Sequence, residues 1–161
     1  MKHTILAVDD EPANLRMLER LFHHEYKVLT ATSGEQALDL LREADVSLII
    51  TDQRMPGMSE TDLLRLSLAS HPYAVKIILT GYTDIEALID AINTSRVHKF
   101  VSKPWDPLTL REIVREAVES FQQSLERKRL LEGLVALVQS CPGLFSSEEM
   151  GLFELTSESS D

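Results

Sequence analysis

The chain has 161 residues, of which 43% are hydrophobic, a length that suits one domain with an appendage. Its formal charge of -10 disfavours direct contact with nucleic acid or an anionic membrane. The single cysteine excludes an internal disulfide, and the sequence shows neither a signal peptide nor an apolar run of the roughly 20 residues that a membrane helix needs. We therefore expect a soluble, cytoplasmic protein.

Short apolar runs alternate with longer segments of helical periodicity. The runs predict strands at 4–8, 27–31, 47–51, 76–80 and 97–101. Helical stripes follow each run, namely Leu15, Leu18, Leu21 and Phe22; Ala37, Leu40, Leu41 and Ala44; Leu63, Leu64, Leu66 and Leu68; Ile85, Leu88, Ile89 and Ile92; and Ile113, Val114, Ala117, Val118 and Phe121. Five β-α units predict an α/β fold of the flavodoxin-like, doubly wound type, with a five-stranded parallel sheet.

Acidic residues follow two of the predicted strands, and ligands of such folds bind outside the carboxyl ends of the strands. Asp9 and Asp10 follow the first strand, and Asp52 follows the third. Because clustered carboxylates repel one another, a hard divalent cation such as Mg²⁺ is the usual remedy. Capping of the next helix by Asp10 or Glu11, beside Pro12, is the alternative for the first group, but it does not explain Asp52.

A hydroxyl and an ammonium are predicted at the same edge. The fourth strand ends at Thr80, before Gly81, and the fifth runs through Phe100 to Lys103. Each has an ordinary alternative, with Thr80 as a helix cap, Phe100 as a core residue and Lys103 as a surface charge. Together with the acids they place a nucleophilic carboxylate, a hydroxyl and a cation on one edge of the sheet.

Four motifs, VDDEP, ITDQRMPGM, LTGYTD and FVSKPW, occur in this order. Over roughly residues 3–121 the chain resembles the receiver domain of two-component response regulators. The resemblance implies the following roles: phosphoacceptor Asp52; metal ligands Asp9, Asp10, Asp52 and the backbone carbonyl of Arg54; phosphoryl contact Lys103; switch residues Thr80 and Phe100; and a cis peptide bond between Lys103 and Pro104. Glu60 stands where the family usually has glycine, which predicts a strained or shifted start of the third helix.

The resemblance also implies a function. The chain would accept a phosphoryl group from a sensor histidine kinase or phosphotransfer protein, with Mg²⁺, and would switch the face formed by helix 83–93, strand 97–101 and the next helix to control a partner or output domain. It would catalyse only its own phosphorylation and slow dephosphorylation. One alternative is a Mg²⁺-dependent phosphatase with an aspartyl nucleophile, which typically has a second acid where this chain has Arg54. Another is a flavin or nucleotide binder, whose glycine-rich phosphate loop is missing here.

Apolar residues continue beyond the last predicted unit and predict an extended C-terminal helix. We divide the chain into a receiver domain, 1–121, an extended helix or coiled-coil linker, 122–140, and an irregular acidic tail, 141–161. Coiled-coil spacing of Val114, Val118, Phe121 and Leu125 leaves two hypotheses open, a homodimer through this helix or an amphipathic helix folded back on its own domain. No output module fits in the remainder, so we expect either a single-domain relay or a fragment of a longer regulator.

Overall fold

The computed structural model of the chain describes residues 1–52, 54–81, 97–141 and 143. Helices are numbered over these residues, and the helix predicted at 83–93 lies outside them. The elements in chain order are β1 (Thr4–Val8), α1 (Pro12–Phe22), β2 (Lys27–Ala31), α2 (Gly34–Glu43), β3 (Leu48–Asp52), α3 (Glu60–Ser70), β4 (Val75–Thr80), β5 (Lys99–Ser102) and α4 (Pro107–Ser140).

The five strands form one parallel sheet in the order β2-β1-β3-β4-β5. This order confirms the predicted flavodoxin-like α/β fold. The chain steps from β1 outward to β2 and then crosses to β3 on the other side. The direction of winding therefore reverses between β1 and β3, where such folds bind their ligands.

Both faces of the sheet are covered because neighbouring strand residues point to opposite sides. In β1, Ile5 and Ala7 pack on the face that carries α1 and α4, whereas Leu6 and Val8 pack on the face that carries α2 and α3. All four are buried, and burial of each larger aliphatic side chain contributes about 1.5–3 kcal/mol. The strands read as apolar throughout because neither face meets water.

The start of α3 differs from the prediction. Ser59 caps the helix from an ordinary extended backbone, with φ -69° and ψ 155°, and its hydroxyl accepts the N–H of Asp62 at 3.1 Å. Glu60 is the first helical residue and is buried. The predicted strain is therefore wrong at this helix start, because a first-turn residue needs no positive φ. The positive φ, +87°, lies earlier in the loop at Gly57.

The C-terminal helix α4 extends over 34 residues to Ser140, which confirms the predicted extension. Val114 and Val118 are buried in the core cluster that α1 shares, and Phe121 packs against that cluster. The seam predicted from coiled-coil spacing is therefore wrong for these three residues, because their apolar face is already used inside the domain.

The chain forms two compact units, Met1–Phe121 and Gln122–Asp161. Within the described part of the second unit, three leucines of the helix are exposed: Leu130, Leu134 and Leu137. Among the described residues, none of the helices has the combined length and apolar character needed to span a membrane.

Candidate functional site

The sheet register brings the predicted acids together. Val8 pairs with Thr51, so the residues that follow them, Asp9 and Asp52, lie side by side at the carboxyl edge. Asp52 is itself the last residue of β3, one residue beyond the predicted end of that strand. One carboxylate oxygen from each of Asp9, Asp10 and Asp52 lies within 4.8 Å of the other two. The side chains are thus close enough to share one cation.

An ammonium group faces the same cluster. The Nζ of Lys103 lies 2.7 Å from Asp52 Oδ1 and 3.9 Å from Asp9 Oδ2. Its backbone N–H donates to the carbonyl of Thr80 at 2.8 Å, which fixes the chain as it leaves β5. The peptide bond that follows, between Lys103 and Pro104, is cis. Lys103 therefore neutralises part of the charge of the acids while remaining 31% exposed itself.

Asp9 is the most enclosed of the three acids, with a side chain only 1% exposed. Burial raises its pKa above the ordinary range, and the carboxylate of Asp52 raises that pKa further. Three groups oppose this rise: hydrogen bonds from the Glu11 N–H and from the Asn14 amide, and the ammonium of Lys103. The pocket thus holds buried negative charge that a bound cation would stabilise.

Helix capping does not account for the acids. Glu11 occupies the N-cap of α1, yet its side chain makes no capping hydrogen bond, and Pro12 begins the helix. Asp10 is exposed at the rim of the sheet. The donor set instead suits Mg²⁺, because it offers carboxylate oxygens from three residues and leaves an exposed side for water.

The remaining predicted residues occupy different places. Thr80 is buried at the end of β4, where it pairs with Ser102. Phe100 is half-buried in β5 and packs against the cluster that α2 and α3 cover. Arg54 is exposed two residues after Asp52, and its carbonyl remains the predicted fourth protein ligand.

A cavity of about 540 Å³ adjoins the acids, between α1 and the loop before α4. Asp9, Glu11, Asn14 and Lys103 form its polar wall, and its apolar wall consists of Met17, Leu18, Leu79, Pro104, Trp105 and Pro107. Asn14 was not among the site residues predicted from the sequence. Its position in the first turn of α1 was the available signal, because helical side chains point back toward the N-terminus and so toward Asp9.

This flavodoxin-like fold carries an acid cluster at the point where the winding reverses and a lysine at the same edge of the sheet, the arrangement expected of a receiver module. The family model of the response regulator receiver domain matches residues 5–115. The chain therefore belongs to the response regulator receiver family, a component of two-component signalling. None of the comparisons supports the alternative of an aspartyl-nucleophile phosphatase.

Individual proteins show the same likeness. The chain is 39% identical over 117 residues to the hydrogenase transcriptional regulatory protein HoxA of Cupriavidus necator. The match covers 73% of this chain and 24% of HoxA. Among solved structures, the signal receiver domain of an HD domain-containing protein from Pseudomonas fluorescens is similar, with a TM-score of 0.73, 31% identity, and coverage of 76% of this chain and 99% of that one.

A CheY-like receiver domain protein from Methanospirillum hungatei gives a TM-score of 0.72 at 27% identity, and the match covers 76% of this chain and 98% of that one. The chain spans about a quarter of the length of HoxA and of the other similar proteins named transcriptional regulatory proteins, GlrR and ZraR of Escherichia coli.

Proposed function

We propose that Asp52 is the residue that accepts the phosphoryl group. The observation that carries this assignment is the 2.7 Å ion pair between Asp52 and Lys103, at the edge where Asp9 and Asp10 also converge. Asp9 is enclosed and hydrogen-bonded on both oxygens. Asp52 has a side chain 14% exposed, so a donor can reach it from the rim.

The metal site would consist of carboxylate oxygens from Asp9, Asp10 and Asp52 and the carbonyl oxygen of Arg54. Bound Mg²⁺ would neutralise negative charge on the transferring phosphoryl oxygens. The clustered carboxylates support this assignment, because the three acids repel one another and Lys103 neutralises only part of their charge.

The transfer itself would proceed in line. A carboxylate oxygen of Asp52 forms a bond to phosphorus while the bond from phosphorus to the imidazole nitrogen of a phosphohistidine breaks, and the electron pair stays on that nitrogen. Lys103, now paired with Asp52, would move its ammonium onto an oxygen of the arriving group. The donor would be a sensor histidine kinase or a phosphotransfer protein. Beyond this transfer and slow hydrolysis of the acyl phosphate, the domain would catalyse no reaction.

The response would run from the phosphorylated edge to β5. Thr80, at the end of β4, would hydrogen-bond a phosphoryl oxygen, and Phe100 would then turn further into the interior as one of two existing states gains population. The backbone bond from Lys103 to Thr80, 2.8 Å long, supports a coupling between these strand ends. The switch face would combine β5 and α4 with the predicted helix at 83–93, which lies outside the described residues.

Phosphorylation of the variant Asp52→Ala tests the central assignment. With Mg²⁺ and radiolabelled acetyl phosphate, the native chain should take up label that hydroxylamine removes, as an acyl phosphate requires, whereas Asp52→Ala should not. The matched control is Asp45→Ala, an exposed aspartate before the opposite end of β3, and it should label like the native chain. Undiminished labelling of Asp52→Ala would remove the assignment.

The switch has its own test. Thr80→Ala should still accept label but should lose the conformational response to it, measured from amide chemical shifts with and without the phosphodonor. A response equal to that of the native chain would contradict the role of Thr80.

The receiver, residues 1–121, would control an output domain or partner protein, in the cytoplasm and without contacting nucleic acid itself. The relatives named transcriptional regulatory proteins, of which the chain spans about a quarter, support an output beyond the receiver. The net charge of -10 disfavours nucleic acid as a direct ligand of this segment. Residues 122–140 would serve as a linker helix and 141–161 as an acidic tail.

A homodimer would form through the linker helix rather than through the predicted seam. Leu130, Leu134 and Leu137 repeat at coiled-coil spacing and are exposed. Leu134→Glu should convert dimers to monomers in sedimentation velocity, whereas the control Leu108→Glu, at an exposed position near the start of α4, should leave them intact. A native chain that sediments only as a monomer would reject this dimer.

A further inference from the structure

Asn14 links two acidic residues of the pocket through its side-chain amide. The Nδ2 group donates to Asp9 Oδ2 at 3.0 Å and to Glu11 Oε2 at 3.1 Å. An asparagine amide nitrogen carries two hydrogens, so each carboxylate receives one of them. The other oxygen of Asp9, Oδ1, accepts the backbone N–H of Glu11 at 2.9 Å. Both oxygens of the enclosed acid are therefore oriented by the first turn of α1.

Asp9 Oδ2, the oxygen that Asn14 holds, is also the Asp9 oxygen that pairs with Lys103. Lys103 Nζ lies 3.9 Å from Asp9 Oδ2 but 2.7 Å from Asp52 Oδ1. A buried carboxylate oxygen without a donor would attract this ammonium, because unsatisfied buried charge is costly. With the Asn14 amide in place, that oxygen already has a donor, and the lysine remains on Asp52.

We propose that Asn14 is a positioning residue of the phosphorylation site, which fixes the carboxylate of Asp9 for Mg²⁺ and keeps Lys103 on Asp52. This inference rests on the function proposed above. Partners that orient a metal ligand from behind typically change metal affinity by roughly 10- to 100-fold when they are removed. Asn14 stands in that position relative to Asp9.

The backbone around Asn14 makes the amide a fixed donor and a clean target for mutation. Asn14 is the third residue of α1, and its backbone N–H donates to the carbonyl of Glu11 at 3.1 Å. Alanine has a higher helix propensity than asparagine, so Asn14→Ala should leave α1 intact. Asn14→Gln retains the amide on a longer side chain.

The test measures Mg²⁺ binding to the full chain without a phosphodonor, by calorimetry and by fluorescence of Trp105, the single tryptophan, which lines the same cavity. Asn14→Ala should bind MgCl₂ roughly tenfold more weakly while remaining folded, by circular dichroism, in metal-free buffer. Asn14→Gln should recover part of the affinity. The control Gln123→Ala removes an exposed amide of α4 and should bind Mg²⁺ like the native chain.

A second background separates positioning from a general structural role. In a Lys103→Ala chain, Asn14→Ala should weaken Mg²⁺ binding by a smaller factor, because the competing ammonium is gone. Two results would overturn the role of Asn14 but leave the proposed function standing. One is an equal loss of Mg²⁺ affinity in the native and Lys103→Ala backgrounds, and the other is an Asn14→Ala chain that binds Mg²⁺ within twofold of the native one. A native chain that does not bind Mg²⁺ would overturn the proposed function and this inference with it.

Discussion

Among the glycines that the structure describes, Gly34 is the one at which neighbouring atoms leave no room for a side chain. It is the first residue of α2, and a Cβ built there would lie 2.9 Å from both Cβ and Sδ of Met58 and 3.0 Å from its Cγ. Met58 belongs to the loop between β3 and α3, which follows Asp52. Because a side-chain Cβ moves only with its backbone, Gly34→Ala should push this loop away from α2.

The expected cost follows from these distances. Carbon atoms pack best at about 3.5–4.0 Å, so the new methyl overlaps by roughly half an ångström or more, and overpacking of this kind typically costs about 1–3 kcal/mol. Alanine offsets up to about 1 kcal/mol through its helix propensity. We expect a net loss of about 1 kcal/mol in the free energy of unfolding, or about 2–4 °C in melting temperature.

Urea unfolding of paired alanine variants measures this loss. The control is Gly133→Ala on α4, where a Cβ would meet no atom within 4 Å, and it should be neutral or stabilising by up to about 1 kcal/mol. Gly34→Ala combined with Met58→Ala should cost less than the two changes summed, because the shortened side chain removes two of the three close contacts. If Gly34→Ala proves as stable as the native chain, the packing argument is wrong.

Two further predictions concern pH and capping. Desolvation and the ammonium of Lys76 lower the pKa of His98, whose Nδ1 accepts the Lys76 N–H at 3.2 Å. As the pH falls, His98 should therefore be protonated in the unfolded chain before it is protonated in the folded one, so the free energy of unfolding should decrease below about pH 6.5. The variant His98→Asn retains a hydrogen-bond acceptor but does not titrate. In urea unfolding at pH 7.5 and 5.5, its stability should depend less on pH than that of the native chain. Asp106 precedes α4 and caps it, because its Oδ2 accepts the backbone N–H and the hydroxyl of Thr109 at 2.8 and 3.0 Å. These bonds hold the pKa of Asp106 below its usual range, so the cap should contribute stability above about pH 3.9 and lose it in stronger acid. Asp106→Ala should lower the melting temperature at pH 7, whereas Asp106→Asn should retain most of it; equal melting of both variants would contradict the cap.

The sequence predicted the fold because its signals are local. Branched apolar runs and helical stripes each reflect the period of one element, and their alternation is sufficient to indicate a parallel sheet with helices on both faces. The acids could be assigned to one edge for the same reason, since the carboxyl ends of parallel strands meet there. Strand ends shifted by only about one or two residues, as at Asp52.

The coiled-coil seam shows where a local signal was ambiguous. Val114 and Val118 have the same spacing in a helix that packs on its own sheet as in one that pairs with a second helix. Only the packed structure shows that the core of the domain takes them. The same limit applies to Glu60, where the family pattern suggested strain but the backbone of the helix start is ordinary.

The sequence by itself determined the order of the elements, the acids at the edge of the sheet and, through its motifs, the receiver family. The tertiary structure alone decided which donor meets which oxygen: Lys103 on Asp52, Asn14 on Asp9, and Met58 against Gly34. These contacts depend on distances of a few ångströms between residues far apart in the chain. Strand register and helix packing set such distances, and no periodicity within a single element encodes them.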